Sequence, residues 1–238
     1  MSDILYTGKS KNVFPGPDKD SLIIRYKDTA TAFNGEKKEE LLGKGKLNAA
    51  ISNLIFRFLQ ERGIKTHFIK EIDETSILVR KADIIMVELI IRNIAAGSFS
   101  KKYGIAEGRE LKNTVLEFCL KSDSLGDPMI NMSQITAIGI ASREELDSMI
   151  NMAEKINVLL IDLFLKAEIK LVDFKLEFGR CGNDIILCDE ISPDSCRFWD
   201  LHTGDKMDKD RFRRDMGNVL EGYGMVLDRL KRIVLMNT

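Results

Sequence analysis

At 238 residues, 44% hydrophobic and 31% charged, the chain is long enough for one large core or two smaller lobes. Thirty-six basic against 37 acidic side chains leave a net charge of −1, so no overall field draws it to nucleic acid or an anionic membrane, and any basic surface is local. No run approaches the roughly 18 apolar residues of a membrane span and the start MSDILYTGKSKN lacks the apolar core of a signal peptide, so a cytosolic protein is expected.

Up to Ile94 the chain reads mainly as strands. LYTGKSKNVF, SLIIRYK, KTHFIKEI, TSILVRK and DIIMVELIIRNI are short runs rich in β-branched residues, separated by Pro15-Gly16-Pro17-Asp18, Gly63 and Asp73-Glu74. Within the first run, Gly8 permits close backbone approach, and Lys9 and Lys11 on alternating positions can meet phosphates; a solvated lysine-rich turn is the plainer alternative. TATAFNGEKKEELLGKGK is polar and glycine-bearing, either a lid over a ligand or a mobile loop. KLNAAISNLIFRFLQERG places Leu47, Ala50, Ile51, Leu54, Ile55, Phe58 and Leu59 at helical spacing, with Gly63 at the C-terminal cap. MVELIIRNIAAGSF sets Glu88 and Arg92 on one face of a strand before the small residues Ala95-Ala96-Gly97-Ser98. The arginine either pairs with Glu88 or meets an external carboxylate or phosphate.

Beyond Ile94 longer helices take over. Ser142 and Glu145 form a capping-box pattern ahead of the stripe Leu146, Met149, Ile150, Ala153, Ile156, Leu160, Leu163, Phe164. DKDRFRRDMGNVLEGYGMVLDRLKRIV reads as one terminal helix, weakened by Gly217, Gly222 and Gly224. The expected architecture is α+β: an N-terminal antiparallel sheet lobe, residues 1–86, and a C-terminal mixed helix and sheet lobe, residues 87–238, with a cleft between them.

The chemistry concentrates in Leu171 to Ser195. Asp173, Lys175 and Glu177 alternate with Val172, Phe174, Leu176 and Phe178, which sends the charges to one face of a strand and the apolar set to the other. Cys181-Gly182-Asn183-Asp184 closes a hairpin, and the return run stays apolar until Asp189 and Glu190. A desolvated carboxylate needs a cation, so acids at the ends of apolar strands point to a metal, a paired lysine or a polar cleft; we read a Mg²⁺ site facing phosphates. An exposed ribbon of surface ion pairs is the bland alternative. Ser192 to Asp200 follows directly, with a turn at Pro193-Asp194 and Arg197 near the only tryptophan, as anchor or packing pair. Four cysteines without a CxxC pair argue against zinc and a disulfide framework. His67 and His202 lack an adjacent nucleophile, which leaves the chemistry to Lys, Arg, Asp and Glu.

Taken in order, YTGKSKNVF, IIRNIAAGSF, FCLKSDSLGDPMIN, LVDFKLEFG, DEISPDSCRFWD and MDKDRFR resemble the phosphoribosylaminoimidazole-succinocarboxamide synthase (SAICAR synthetase) family over almost the whole chain. Ser10 stands where alanine is frequent, Phe14 where tyrosine is frequent, and Thr29 to Gly35 differs in wording. The resemblance implies ATP-dependent joining of L-aspartate to the carboxylate of carboxyaminoimidazole ribonucleotide (CAIR) through an acyl phosphate, in a homodimer. It carries Gly8, Lys9 and Lys11 to the ATP phosphates, Met86 to Glu88 to the adenine edge, and Lys121 to the nucleotide. Glu177 and Asp189 go to Mg²⁺, and Arg92, Ser98 and Arg197 to the ribonucleotide phosphate. Lys175 with Asp173 goes to the reacting carboxylate, Asp127 to the same cleft. The aspartate site stays unassigned. A small-molecule kinase of the inositol polyphosphate kinase type and a non-catalytic nucleotide-binding module are the rivals.

Overall fold

The computed structural model describes residues 3–235; positions 1, 2 and 236–238 of the two expected lobes lie outside the described residues. In chain order the first half builds β1 (Tyr6–Thr7), β2 (Lys11–Pro15), β3 (Ser21–Tyr26), β4 (Thr29–Ala32), β5 (Lys37–Glu40), α1 (Lys44–Gln60), β6 (Phe68–Glu71) and β7 (Ser76–Arg80). Five of these strands form an antiparallel sheet in the order β1-β2-β3-β7-β6.

The segment expected as lid or mobile loop forms a β4–β5 hairpin, in register from Thr29↔Glu40 to Ala32↔Lys37, and its Thr31 borders a cavity. Ala30 and Ala32 are buried and packed with Phe212, which anchors the hairpin although KKEE has no apolar residue of its own. Helix α1 begins at Lys44, and its buried face centres on Ile51, Ile55, Phe56 and Leu59, while Leu47, Ala50, Leu54 and Phe58 pack at its margin. That face also buries Lys44, Asn48, Ser52 and Asn53.

The second half comprises β8 (Asp83–Ile94), α2 (Gly97–Tyr103), β9 (Glu110–Leu120), β10 (Met129–Ile130), α3 (Met132–Ala137), α4 (Arg143–Lys166), β11 (Ile169–Cys181), β12 (Asp184–Cys188), β13 (Cys196–Asp200), α5 (Asp210–Arg213) and α6 (Val219–Leu235). Its antiparallel sheet runs β10-β9-β8-β11-β12, and β13 pairs with β11 as well. β11 is long enough to take β13 along Ile169–Phe174 and β12 along Glu177–Cys181. The loop 189–195 therefore spans the gap between two strands that share one edge. The expected lobe boundary at 86/87 falls inside β8.

The capping box at α4 forms as expected, with Ser142 accepting from the Glu145 amide and Glu145 accepting from Ser142. Its apolar stripe packs on β11 and completes a core shared with α1 and α6. The single terminal helix is a correction: it breaks into α5 and α6 at Asp215, Gly217 and Asn218, all with left-handed φ of 55°, 71° and 51°. One glycine and two short polar side chains that tolerate this region make the break cheap. The α+β class agrees with the expectation.

Candidate active site

β11 sorts its side chains by the period of two. Phe174, Leu176 and Phe178 are buried in the main core, while Asp173, Lys175 and Glu177 alternate with them; Val172 departs from the expected alternation, because an irregularity between Leu171 and Asp173 puts Leu171 in the main core and Val172 in a small separate cluster with Ile94, Ala96 and Trp199. β12 returns from a two-residue turn, Gly182-Asn183, in which Gly182 takes φ 59°. Glu177 lies opposite Cys188, so the next residue, Asp189, emerges beside it; Asp189 takes a left-handed φ of 62°.

The charges close on one another. The Lys175 ammonium lies 2.8 Å from Glu88, 2.5 Å from Glu177 and 3.6 Å from Asp189. Lys121 donates to Glu177 at 3.0 Å, and Lys11 donates to Asp189 and lies 2.9 Å from Glu190. Burial alone would depress the Lys175 ammonium, but Glu177, Asp189 and Glu88 outweigh it and hold the ammonium well above the ordinary lysine value. Burial opposes the charge of Asp189 in the same way, and Lys11 with Lys175 overcomes it, keeping the carboxyl far below its usual range. Lys175 and Asp189 are therefore both charged.

It borders a cavity of about 350 Å³. Val13, Leu22, Ile24 and Val79 of the first sheet, with Ala82 and Ile84, supply an apolar wall. Gly8, Lys9, Lys11, Glu88, Lys121, Asp127, Lys175, Glu177 and Asp189 all reach the same cavity. Lys9 crosses to Asp123 at 2.7 Å, and Asp127 accepts from the Ser122 amide at 2.9 Å. A larger open depression of about 1020 Å³ beside the β11–β12 turn shares none of these residues.

Met86 is not among the cavity residues: its side chain is exposed and its carbonyl accepts from the Lys121 amide at 3.0 Å. Around it β8 carries a bulge, since Glu88 faces Glu177 and Ile84 faces Gly179, so residues 85–87 oppose Phe178 alone. This leaves backbone groups of β8 outside the β11 ladder.

Arg92, Ser98, Asp173 and Arg197 form a second cluster outside the cavity lining. Asp173 stands across from Arg92 on β8 and across from Arg197 on β13, and both guanidiniums bond it at 2.9 Å. Arg92 also meets Glu117 at 2.6 Å, and Arg197 meets Asp210 at 2.9 Å. The considered Glu88–Arg92 pair does not form, because Glu88 is drawn to Lys175. Each arginine keeps one weakly used Nη2, 3.3 Å from Ser98 and 3.4 Å from Asp210. Gly97 admits this arrangement: a Cβ there would lie 2.3 Å from the Arg197 Nη2.

Other cavity residues escape a local reading of the sequence. His67 is buried edge-on to Phe56, and burial together with the Lys11 charge holds it down to about 3, so it is neutral. Lys44 is fully buried at the start of α1 and donates to Asp194 at 2.6 Å, while the Tyr223 hydroxyl donates to the same carboxylate at 2.7 Å. Asp194 and Lys209 line the cavity. The turn signal at Pro193-Asp194 pointed at this loop, but nothing local marks Lys44 or Lys209.

The SAICAR synthetase family model matches residues 4–230. The chain belongs to the SAICAR synthetase family. A phosphoribosylaminoimidazole-succinocarboxamide synthase of Clostridium novyi is 53% identical over 95% of this chain and 97% of its own length. The crystal structure of the Ehrlichia chaffeensis synthase superposes with a TM-score of 0.94 at 43% identity, covering 96% of this chain and 98% of that one. A SAICAR synthetase (Type-2) solved in complex with ADP gives a TM-score of 0.92 at 46% identity, covering 94% and 96%. The chain is accordingly an ATP-dependent carbon–nitrogen ligase of purine biosynthesis. No helix among the described residues is long and apolar enough to cross a membrane.

Proposed function

We propose that this chain joins L-aspartate to the carboxylate of CAIR, giving SAICAR, ADP and phosphate through an acyl phosphate. The observation that carries the reading is one ammonium, Lys175, shared by Glu88, Glu177 and Asp189 at the edge of the cavity. A carboxylate is a poor acyl donor. Transfer of the γ-phosphoryl group to it makes a mixed anhydride; the aspartate amine attacks the acyl carbon, the C–N bond forms, the C–O bond breaks and phosphate leaves. Such a sequence needs positioning and charge neutralisation rather than a protein nucleophile. The cysteines suit that requirement, since burial pushes the Cys188 and Cys196 thiols up, away from the nucleophilic thiolate.

Lys9 and Lys11, beside the Gly8 backbone, would meet the ATP phosphates, Lys121 the nucleotide, and the bulged backbone from Met86 to Glu88 the adenine edge. Arg92 and Arg197, through the Nη2 atoms left weakly engaged, and Ser98 would grip the ribonucleotide phosphate. Lys175 would hold the reacting carboxylate, with Asp127 in the same cleft, and Asp173 on the same face of β11 would orient Arg92 and Arg197. Glu177 and Asp189 would hold Mg²⁺. Their donor set fits: Mg²⁺ commonly takes one or two carboxylates and completes its shell with phosphate oxygens and water, and both of these carboxylates already reach a single cation in Lys175. When bound, the ion would neutralise charge on the transferring phosphoryl group. A cytosolic homodimer belongs to the same proposal, carried by the family likeness.

The test is isotopic. With ¹⁸O in the CAIR carboxylate, ATP and L-aspartate, label must appear in inorganic phosphate. Unlabelled phosphate excludes the acyl phosphate, and a stable phosphorylated product made without aspartate would replace the reading by the small-molecule kinase.

A further inference from the structure

Five lysines line the cavity: Lys9, Lys11, Lys121, Lys175 and Lys209. Four are satisfied by carboxylates, Lys9 by Asp123, Lys11 by Asp189 and Glu190, Lys121 and Lys175 by Glu177. The Lys209 ammonium has no hydrogen bond or ion pair among the described residues, although its backbone is fixed by the Pro193 carbonyl at 3.0 Å. The acids near it are already engaged. Asp194 is held by Lys44 at 2.6 Å and Tyr223 at 2.7 Å, and Glu190 by Lys11 at 2.9 Å and Ser192 at 2.5 Å. Lys44 and Arg213 add positive charge nearby. Asp194 attracts the Lys209 ammonium through space but gives its hydrogen bonds to Lys44 and Tyr223, so this half-buried ammonium has charge compensation without a hydrogen-bond acceptor; burial depresses it below the ordinary lysine value, and the position favours an incoming anion that can accept.

We propose that Lys209 binds a carboxylate of the incoming amino acid, L-aspartate. This rests on the ligation reading above, and follows from how the other anions are served. The nucleotide phosphates have Lys9 and Lys11, and the ribonucleotide phosphate has the arginine pair around Asp173, which lies outside this cavity lining. The third substrate brings two carboxylates and no cation of its own to neutralise both. Lys209, on the wall formed with the 190–195 loop, is the unspent charge that meets one of them.

The decisive experiment is steady-state kinetics of Lys209→Met. The KM for L-aspartate should rise about 10- to 100-fold, the range of one charge-assisted hydrogen bond, with the KM for ATP and CAIR moving less than about twofold. The inhibition constant of succinate, a dicarboxylate that competes with aspartate but lacks its amine, should rise in parallel, and Lys209→Arg should restore part of the loss. An unchanged aspartate KM, or a rise confined to CAIR, overturns the assignment. Should Lys209→Met not fold, Lys209→Gln carries the same expectation. The wild-type protein separates the two readings: aspartate-dependent ADP release must be present before any variant is compared. Its absence sinks the ligation itself, whereas normal release with unaltered Lys209 variants sinks only the lysine.

Discussion

Lys175 and Glu177 are each surrounded by opposite charge that the fold has largely desolvated. Truncating one partner of such a network leaves the rest uncompensated and without hydrogen bonds, so truncations in it should destabilise strongly, and much more than an amide of the same shape that still accepts from the lysines. A second consequence concerns pH. His67 is held down to about 3 by burial and Lys11, whereas an unfolded chain protonates it near 6.5, so its contribution is lost as pH falls below 6.5. Asp208 is pushed up to about 7 by burial and the Asp210 carboxylate, whereas the unfolded chain ionises it near 3.8, so its contribution is lost as pH rises from 3.8 toward 7. Each is a one-proton effect of at most about 1.4 kcal/mol per pH unit, and the two oppose each other between about pH 5 and 6.5. His67→Gln should therefore convert a nearly level stability profile into one that falls as pH rises across that window, checked by denaturant midpoints at several pH values. A profile still level in the variant would contradict the assignment of His67 as a buried neutral imidazole.

At the scale of elements, what could be read locally was what local rules govern. The alternation of Asp173, Lys175 and Glu177, the Gly182-Asn183 turn and the Ser142–Glu145 box all express backbone geometry within a few residues. The β4–β5 hairpin did not show itself because its strand character comes from pairing and from Phe212, far along the chain. The α5–α6 break was similarly hidden behind a helical apolar pattern, although Gly217-Asn218 marks a place where left-handed backbone is cheap. Gly97 joins local geometry to the site. It has φ 55° and lies against the Arg197 guanidinium, so Gly97→Ala should cost about 1–2 kcal/mol of stability through the left-handed backbone. It should also raise the KM for CAIR more than that for ATP. Equal changes in both constants would detach Arg197 from the ribonucleotide.

Over the whole molecule, the cavity is made by contacts that no sequence window contains. Lys11 of the first sheet meets Asp189 at the end of β12, and Lys44 meets Asp194 from 150 residues away in the chain. A buried lysine at a helix start has no local signature, so this part of the site was illegible until the sheets were assembled. Lys9 and Asp123 bridge the mouth of the cavity as an exposed pair, which contributes little to stability. Lys9→Ala should leave the melting temperature nearly unchanged while raising the KM for ATP more than that for aspartate, and the reverse order would remove the N-terminal loop from the nucleotide. The central claim is that the adjoining carboxylates of Glu177 and Asp189 hold the divalent ion that supports phosphoryl transfer. Glu177→Gln keeps the shape and removes one charge, and Lys175 retains Glu88 and Asp189. Aspartate-dependent ADP release at saturating Mg²⁺ should fall by about 100-fold or more in this variant, with the melting transition preserved; turnover close to that of the wild type would contradict the account.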